Sequence, residues 1–257
     1  MTSTASDRNF PVRTFGGPTA LFEYGGLRFL TDPTFDAPGD YPRGEGRFLT
    51  KTAPSSGTPA DLGPVDAVLL SHDEHPDNLD TSGRALLAEV PLTLTTLGGA
   101  ERLGGTARGL AAWDTYELTR PDGGTVTVTA TPAQHGPEGC EPVSGVVIGF
   151  LLTAPDLPTV YISGDNASLD VVAQIAERGG PVDTALLFAG GARIGIFDNA
   201  LLTLDSAQAA QAAELLGVRR VVPVHFDSWA HFTEGREEIV KAFEAAGLTD
   251  RLDLAGN

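Results

Sequence analysis

LLSHDEHPDNLD, Leu69 to Asp80, puts two histidines and four acidic residues into twelve positions. It follows the apolar run VDAVLL, so a buried strand ends in a burst of side chains that suit metal ions. Which of them hold an ion depends on local geometry. Residues two apart on an extended chain face the same way, which pairs His72 with Glu74. A bulge or helical turn at Glu74 brings His75 round instead. Both pairings stand on the residues alone.

Outward from this stretch, the chain reads as strands in runs with helices between some of them. ALFEYGGLRFLTDP is a hairpin turning at Gly25-Gly26, a dipeptide that tolerates positive φ. The segment from Ala37 to Gly63 is rich in Pro, Gly and Ser without apolar period, and reads as a long loop covering a site. PLTLTT and TVTVTATPAQH have strand character, as do SGVVIGFLLTAP and PTVYISGD, which pair. SLDVVAQIAERGG is a helix stopped by glycines, and DSAQAAQAAELLGVRR a helix capped by Asp205 or Ser206. DTALLFAGG and RVVPVHFDSW are further strands, and EGREEIVKAFEAAGL a last amphipathic helix. No linker or low-complexity tract interrupts the series. The expectation is one domain over residues 1–257, an α/β chain with two packed sheets and helices outside.

Composition narrows the function. With 257 residues and 41% hydrophobic content, the chain can bury a substantial core. No apolar run approaches the ~20 residues of a membrane span, and the start, MTSTASDRNFPV, lacks the layout of a secretion signal. A single cysteine, Cys140, allows no internal disulfide and suits a reducing cytoplasm. The net charge of −17 repels nucleic acid and anionic lipid, and its simplest role is solubility. The expected partner is therefore a small-molecule substrate, with no nucleic acid and no membrane; a homo-oligomer is only the default for a soluble enzyme.

Chemistry collects at strand ends. Of the five histidines, His72, His75, His135 and His225 follow expected strands closely, and Asp165 ends another in VYISGDN. Imidazole and carboxylate converging from several loops are ordinary ligands for zinc, iron or manganese. His231 and Asp227, which follow His225, read as a solvated loop or as pocket lining. Asp32, in LTDP, reads as a turn residue before Pro33. Tyr161, Trp229 and Cys140 read as core or wall. The pairs Gly98-Gly99, Gly179-Gly180 and Gly190-Gly191 match no phosphate-binding fingerprint and read as turns.

SHDEHPDNLD resembles the metal-binding loop of the metallo-β-lactamase fold, whose usual form is Ser-His-x-His-x-Asp-His-x-Asp. GGPTALFEYGGLRFLTDPTFD is similar to the opening strands of the branch containing ascorbate-phosphate lactonase and N-acyl-phosphatidylethanolamine phospholipase D. TPAQHG, YISGD and VVPVHFDSW resemble that branch's later motifs, in the same order. The resemblance implies a four-layer αββα sandwich, two mixed sheets face to face with helices outside, and a metal site at one sheet edge. Position by position, it implies His72, His75 and His135 around a first metal, Asp165 bridging, and Asp77, Asn78 and His225 at a second. It also implies Asp32 beside the site, orienting a ligand histidine. The extra residue between the first two histidines leaves Glu74 as the alternative to His75. Asn78 stands where the family has histidine, and its neutral amide oxygen is a poor zinc ligand. One firm metal site and a weaker second are expected.

The reading is a metal-dependent hydrolase of a small-molecule ester, lactone or phosphodiester. Water is activated at a divalent metal, with zinc first and manganese or iron as alternatives, and the resemblance gives Asp77 the role of holding that water or taking its proton. Two rival readings are a non-hydrolytic mononuclear metalloenzyme on the same fold and a metal-free scaffold.

Overall fold

The computed structural model describes residues 10–43 and 46–254; most of the stretch read for a secretion signal lies outside them. The chain opens with β1 (Val12–Thr14), β2 (Ala20–Tyr24), β3 (Leu27–Thr31), β4 (Gly39–Pro42) and β5 (Phe48–Lys51). Then come β6 (Ala67–Leu69), α1 (Thr81–Leu87), β7 (Thr93–Thr96), α2 (Leu97–Leu103) and β8 (Ala107–Leu110). The middle adds β9 (Thr115–Thr119), β10 (Thr125–Pro132), α3 (Glu141–Ser144), β11 (Ile148–Ala154) and β12 (Leu157–Ile162). The last part holds α4 (Leu169–Arg178), β13 (Thr184–Phe188), α5 (Ser206–Leu216), β14 (Arg220–Val224) and α6 (Arg236–Ala245).

Two six-stranded sheets form, in the orders β1-β2-β3-β6-β7-β8 and β14-β13-β12-β11-β10-β9. Both are mixed: β3, β6, β7 and β8 run parallel, as do β12, β13 and β14, while the remaining pairs are antiparallel. Alternating residues on the strands explain the layers. Phe29 and Leu69 face Phe150, Ile162, Leu186 and Val224 in the core between the sheets. Their neighbours Leu30 and Val68 face α1, which supplies Leu86 and Leu87. On the far side Tyr161, Ala185, Leu187 and Val221 meet α4, α5 and α6 through Val172, Ala213 and Phe243. Strands covered on both faces have to be continuously apolar, which is why VDAVLL, DTALLF and RVVPV show no alternation. Each large inner side chain such as Phe150, fully buried, contributes roughly 1.5–3 kcal/mol. The result is the four-layer αββα sandwich. Among the described residues no helix is long and apolar enough to cross a membrane.

Local signals hold where they rest on backbone chemistry. Gly25 and Gly26 both adopt positive φ, 64° and 77°, at the β2–β3 turn. Asp205, not Ser206, caps α5 by accepting from Gln208 N at 2.8 Å. Two readings change. Gly98-Gly99 lies in the first turn of α2, capped by the Thr96 hydroxyl, because a Cβ at Gly99 would crowd Thr96 Oγ1 at 2.9 Å and Asp73 Oδ1 at 3.2 Å. Within Ala37 to Gly63, β4 and β5 pair as a surface hairpin, Gly39↔Lys51 to Pro42↔Phe48. It showed no apolar period because only Leu49 and Lys51 of the two strands are buried. The hairpin docks on the segment after β14, with Ala230 N donating to Thr50 O at 2.9 Å and Thr52 N to Ser228 O at 2.7 Å.

Candidate metal centre

Strand direction gathers the side chains. Because β10 and β12 both run antiparallel to β11, they point the same way, and β14 runs with β12 through β13. Their C-terminal ends therefore share one edge, where His135, Asp165 and His225 follow within three residues. The loop after β6 in the facing sheet delivers His72 to Asp80 to the same place.

His72, His75, His135 and Asp165 are all buried, and each offers an atom within 4.8 Å of the others'. His72 Nε2 lies 2.8 Å from His75 Nδ1, which lies 3.3 Å from His135 Nε2; that nitrogen is 3.5 Å from Asp165 Oδ2. A second group joins Asp77, Asp165 and His225 under the same limit. His225 sets Nε2 3.2 Å from Asp77 Oδ2 and Nδ1 3.2 Å from Asp165 Oδ1.

The odd spacing of the loop resolves into a bulge. Bends at Asp73 and Glu74 swing His75 inward, and its carbonyl accepts from Asn78 N at 3.1 Å and Leu79 N at 2.9 Å, turning Asp77 and Asn78 back toward the edge. Glu74, the alternative to His75, points outward and pairs with Arg102 at 2.6 Å. Arg102, on α2, also grips Asp73 through Nε at 3.0 Å, so the extra residue is anchored away from the cluster. Asn78 is buried with Nδ2 3.4 Å from Asp165 Oδ1.

Supporting contacts fix the rings. His135 Nδ1 donates to the Leu202 carbonyl at 2.7 Å, leaving Nε2 with its lone pair toward the cluster. Asp32 touches no histidine. Its Oδ1 accepts from Ser71 N at 2.9 Å and Ser71 Oγ at 2.6 Å, and that hydroxyl meets His72 Nδ1 at 3.0 Å. His225 adopts φ of 57°, a strained conformation for a residue with Cβ, and its N–H donates to the Gly17 carbonyl at 2.7 Å. Gly190 lies beneath it: a Cβ there would come 2.3 Å from His225 O.

Electrostatics suit a cation. Burial, reinforced by neighbouring imidazoles, pulls His72 and His75 well below the usual histidine value; burial also takes His135 to about 4 and lowers His225. All four are neutral at pH 7, so their lone pairs are free. The two carboxylates divide. Burial pushes Asp165 well above the usual range, helped by the charges of Asp77 and Asp32. Burial raises Asp77 too, but His231 and His225 outweigh it and hold its carboxyl well below that range. Asp165 Oδ2, Asp77 Oδ1, Asn78 Oδ1 and both nitrogens of His225 are buried without a hydrogen bond. Such groups cost about 1–3 kcal/mol each when unsatisfied. A divalent ion among nitrogen and carboxylate donors would satisfy most of them, so the residues present fit a metal.

Two residues beyond the expected ligands line the site. His231 is no solvated loop residue: its Nε2 sits 3.0 Å from Asp77 Oδ2. Its six-residue separation from His225 in HFDSWAH was the available signal. Arg43, from the hairpin tip, reaches His75 Nε2 at 2.5 Å, and nothing in its loop's composition marked it. Asp227 turns away, accepting from Gly17 N at 2.8 Å. Tyr161, Trp229 and Cys140 are buried as expected.

Residues 27–226 match the model of the beta-lactamase superfamily domain. A UPF0173 metal-dependent hydrolase of Pyrococcus horikoshii is 27% identical over 225 residues, covering 87% of this chain and 88% of the relative. Another of the same description, from Methanosphaerula palustris, is 30% identical over 186 residues, covering 70% and 76%. Among solved structures, isothiocyanate hydrolase from Delia radicum gut bacteria superposes with a TM-score of 0.78 at 22% identity over 94% of both chains, a likeness of fold.

Proposed function

Because the chain belongs to the beta-lactamase superfamily domain family and is a metal-dependent hydrolase, we propose that it cleaves an ester, lactone or phosphodiester bond in a small molecule. Residues 1–257 act as a single unit in this reading. His72, His75, His135 and Asp165 hold a divalent ion, zinc in the first instance, and Asp77, His225 and the shared Asp165 hold a second more weakly. Asn78 braces Asp165 rather than serving as a full ligand. One observation carries the proposal: four buried donors from three separate loops offer atoms within 4.8 Å of one another.

When bound, the metal lowers the pKa of water from 15.7 towards ~7 and polarises the oxygen of the bond under attack. The remaining work falls to the chain. Asp77, kept ionised at neutral pH, orients the attacking water or accepts its proton. His231, against Asp77 Oδ2, holds that carboxylate in place and offers a route for the proton to the cleft. Ser71 links Asp32 to His72 and steadies the ring, and the Leu202 carbonyl does the same for His135. Leu49, Ala192 and Ile194 wall the cleft and limit water. As these side chains stand the cleft is tight, with about 10 Å³ of free space, roughly room for one water.

Elemental analysis of gently purified protein, followed by a panel of small esters, lactones, phosphodiesters and an alkyl isothiocyanate, tests this. Zinc or manganese with turnover abolished by chelation upholds it. Less than about a tenth of an equivalent of metal with no uptake on reconstitution sinks it in favour of a scaffold, and iron with oxygen-dependent turnover sinks it in favour of redox chemistry.

A further inference from the structure

The geometry points to a substrate that carries an anionic oxygen group, a carboxylate or phosphate, which Arg43 and His75 receive together at the mouth of the cleft. This rests on the hydrolase reading above and narrows its substrate class.

Arg43 comes from the tip of the β4–β5 hairpin, which is fixed over the site by its bonds to residues 228–230. Its guanidinium is half-buried and lines the cleft with His75, Asp77, His135 and His231. Among the described residues it has no carboxylate partner; its one side-chain hydrogen bond goes to His75 Nε2 at 2.5 Å. In a chain of net charge −17, such a residue is not explained by surface electrostatics. Other arginines near the site behave differently: Arg102 is neutralised by Asp73 and Glu74.

The partner atom sharpens the argument. His75 turns Nδ1 into the cluster, 2.8 Å from His72 Nε2, and presents Nε2 to Arg43. An imidazole whose Nδ1 lone pair is given to a cation carries its proton on Nε2. A guanidinium has donors and no acceptor. Nε2 can then no longer accept from Arg43, so the two donors must part from 2.5 Å, and an acceptor seated against both would satisfy them. Charge agrees: Arg43 is a cation to which no carboxylate of the described residues is hydrogen-bonded. A carboxylate or phosphate meets both needs, and the planar fork of arginine binds either in bidentate fashion.

The test uses the metal-loaded full chain with inorganic phosphate as probe, titrated by calorimetry into the wild type, Arg43→Ala and Arg43→Lys, with metal content measured for each. Arg43→Ala is expected to weaken phosphate at least about tenfold at unchanged metal content, with Arg43→Lys between. Equal affinity in all three means that the metal alone holds the anion and overturns the inference. A second arm compares 4-nitrophenyl acetate with 4-nitrophenyl hemisuccinate. Arg43→Ala is expected to cost the hemisuccinate at least about tenfold more in kcat/KM than the acetate; equal losses count against the inference. Phosphate binding lost in Arg43→Ala with neither ester cleaved upholds the anion site and defeats ester hydrolysis. Unchanged phosphate binding with both esters cleaved does the reverse.

Discussion

The two halves of the centre are built from different materials. One side has three imidazoles and a single carboxylate, all buried and close enough to share an ion. The other has two carboxylates, one imidazole and, at Asn78, an amide whose oxygen is buried without a partner. Burial penalises the protonated form of these imidazoles, so protons compete weakly with an ion for their lone pairs. Carboxylates in the same surroundings must first shed or share a proton, as Asp165 does. In the proposed function, affinity belongs to the histidine-rich side and proton handling to the acidic side. His135→Ala breaks the first assignment most directly. It should drop metal content below about a tenth of an equivalent and cut turnover by roughly 10³-fold or more, the scale of several kcal/mol of lost metal catalysis. Circular dichroism should stay native, because the ligands sit on loops above the core. Full metal retention in that variant would remove the first site as drawn.

Asp77→Asn attacks the other side with a smaller effect. The amide keeps the shape and loses the charge that His231 and His225 hold in place. Turnover should fall about 10²–10³-fold, within the range for a removed general base, while one equivalent of metal stays bound. Loss of both ions together would show that the halves are not separable.

The same contrast shows what a sequence can carry. Continuous apolar runs made β6, β13 and β14 readable, β-branched alternation did the same for β10, and the residues just past strand ends could converge. His72, His135, Asp165 and His225 could be placed by that logic. His75 against Glu74 could not, because the bulge depends on Arg102, 29 residues after Asp73 and on another element. Arg43 was out of reach for a related reason, and His231 was left between a solvated loop and the pocket wall. Their positions follow from a surface hairpin docking on the segment after β14, a tertiary contact with almost no apolar pattern to announce it. Asp32 was half legible: its proximity was expected, its action through Ser71 was not.

Asp32 gives a third, milder way to separate support from ligation. Burial raises its carboxyl to about 7, against which the Ser71 bonds pull only partly. A group raised in the folded state contributes stability that is present below the unfolded value of 3.8 and is lost as pH rises through about 7. Asp32→Asn keeps an acceptor for Ser71 without that charge. The metal-free variant should therefore melt higher than the metal-free wild type at pH 8 and show little advantage at pH 4. In the loaded protein it should weaken metal binding about 10–100-fold, as changes behind ligand histidines do. Calorimetric melting across pH, with a chelator-competition assay at pH 7.5, reads both; a wild type that is more stable at pH 8 would contradict the raised carboxyl.

The smallest change would make the two halves alike. Asn78→His places an imidazole beside Asp165 and next to Asp77, adding a nitrogen donor to the acidic side. The substitution crowds a fully buried position, at a cost of about 1–3 kcal/mol. It also removes the unpartnered amide oxygen, a group of similar cost, so the protein should still fold. Binding of the second ion should tighten about tenfold or more, which brings stoichiometry in a dye-competition titration from near one toward two, while the first ion's affinity holds. If the second ion binds no better, the weakness of that side lies in its two carboxylates rather than in Asn78, and the division between a binding half and a proton-handling half becomes a matter of charge alone.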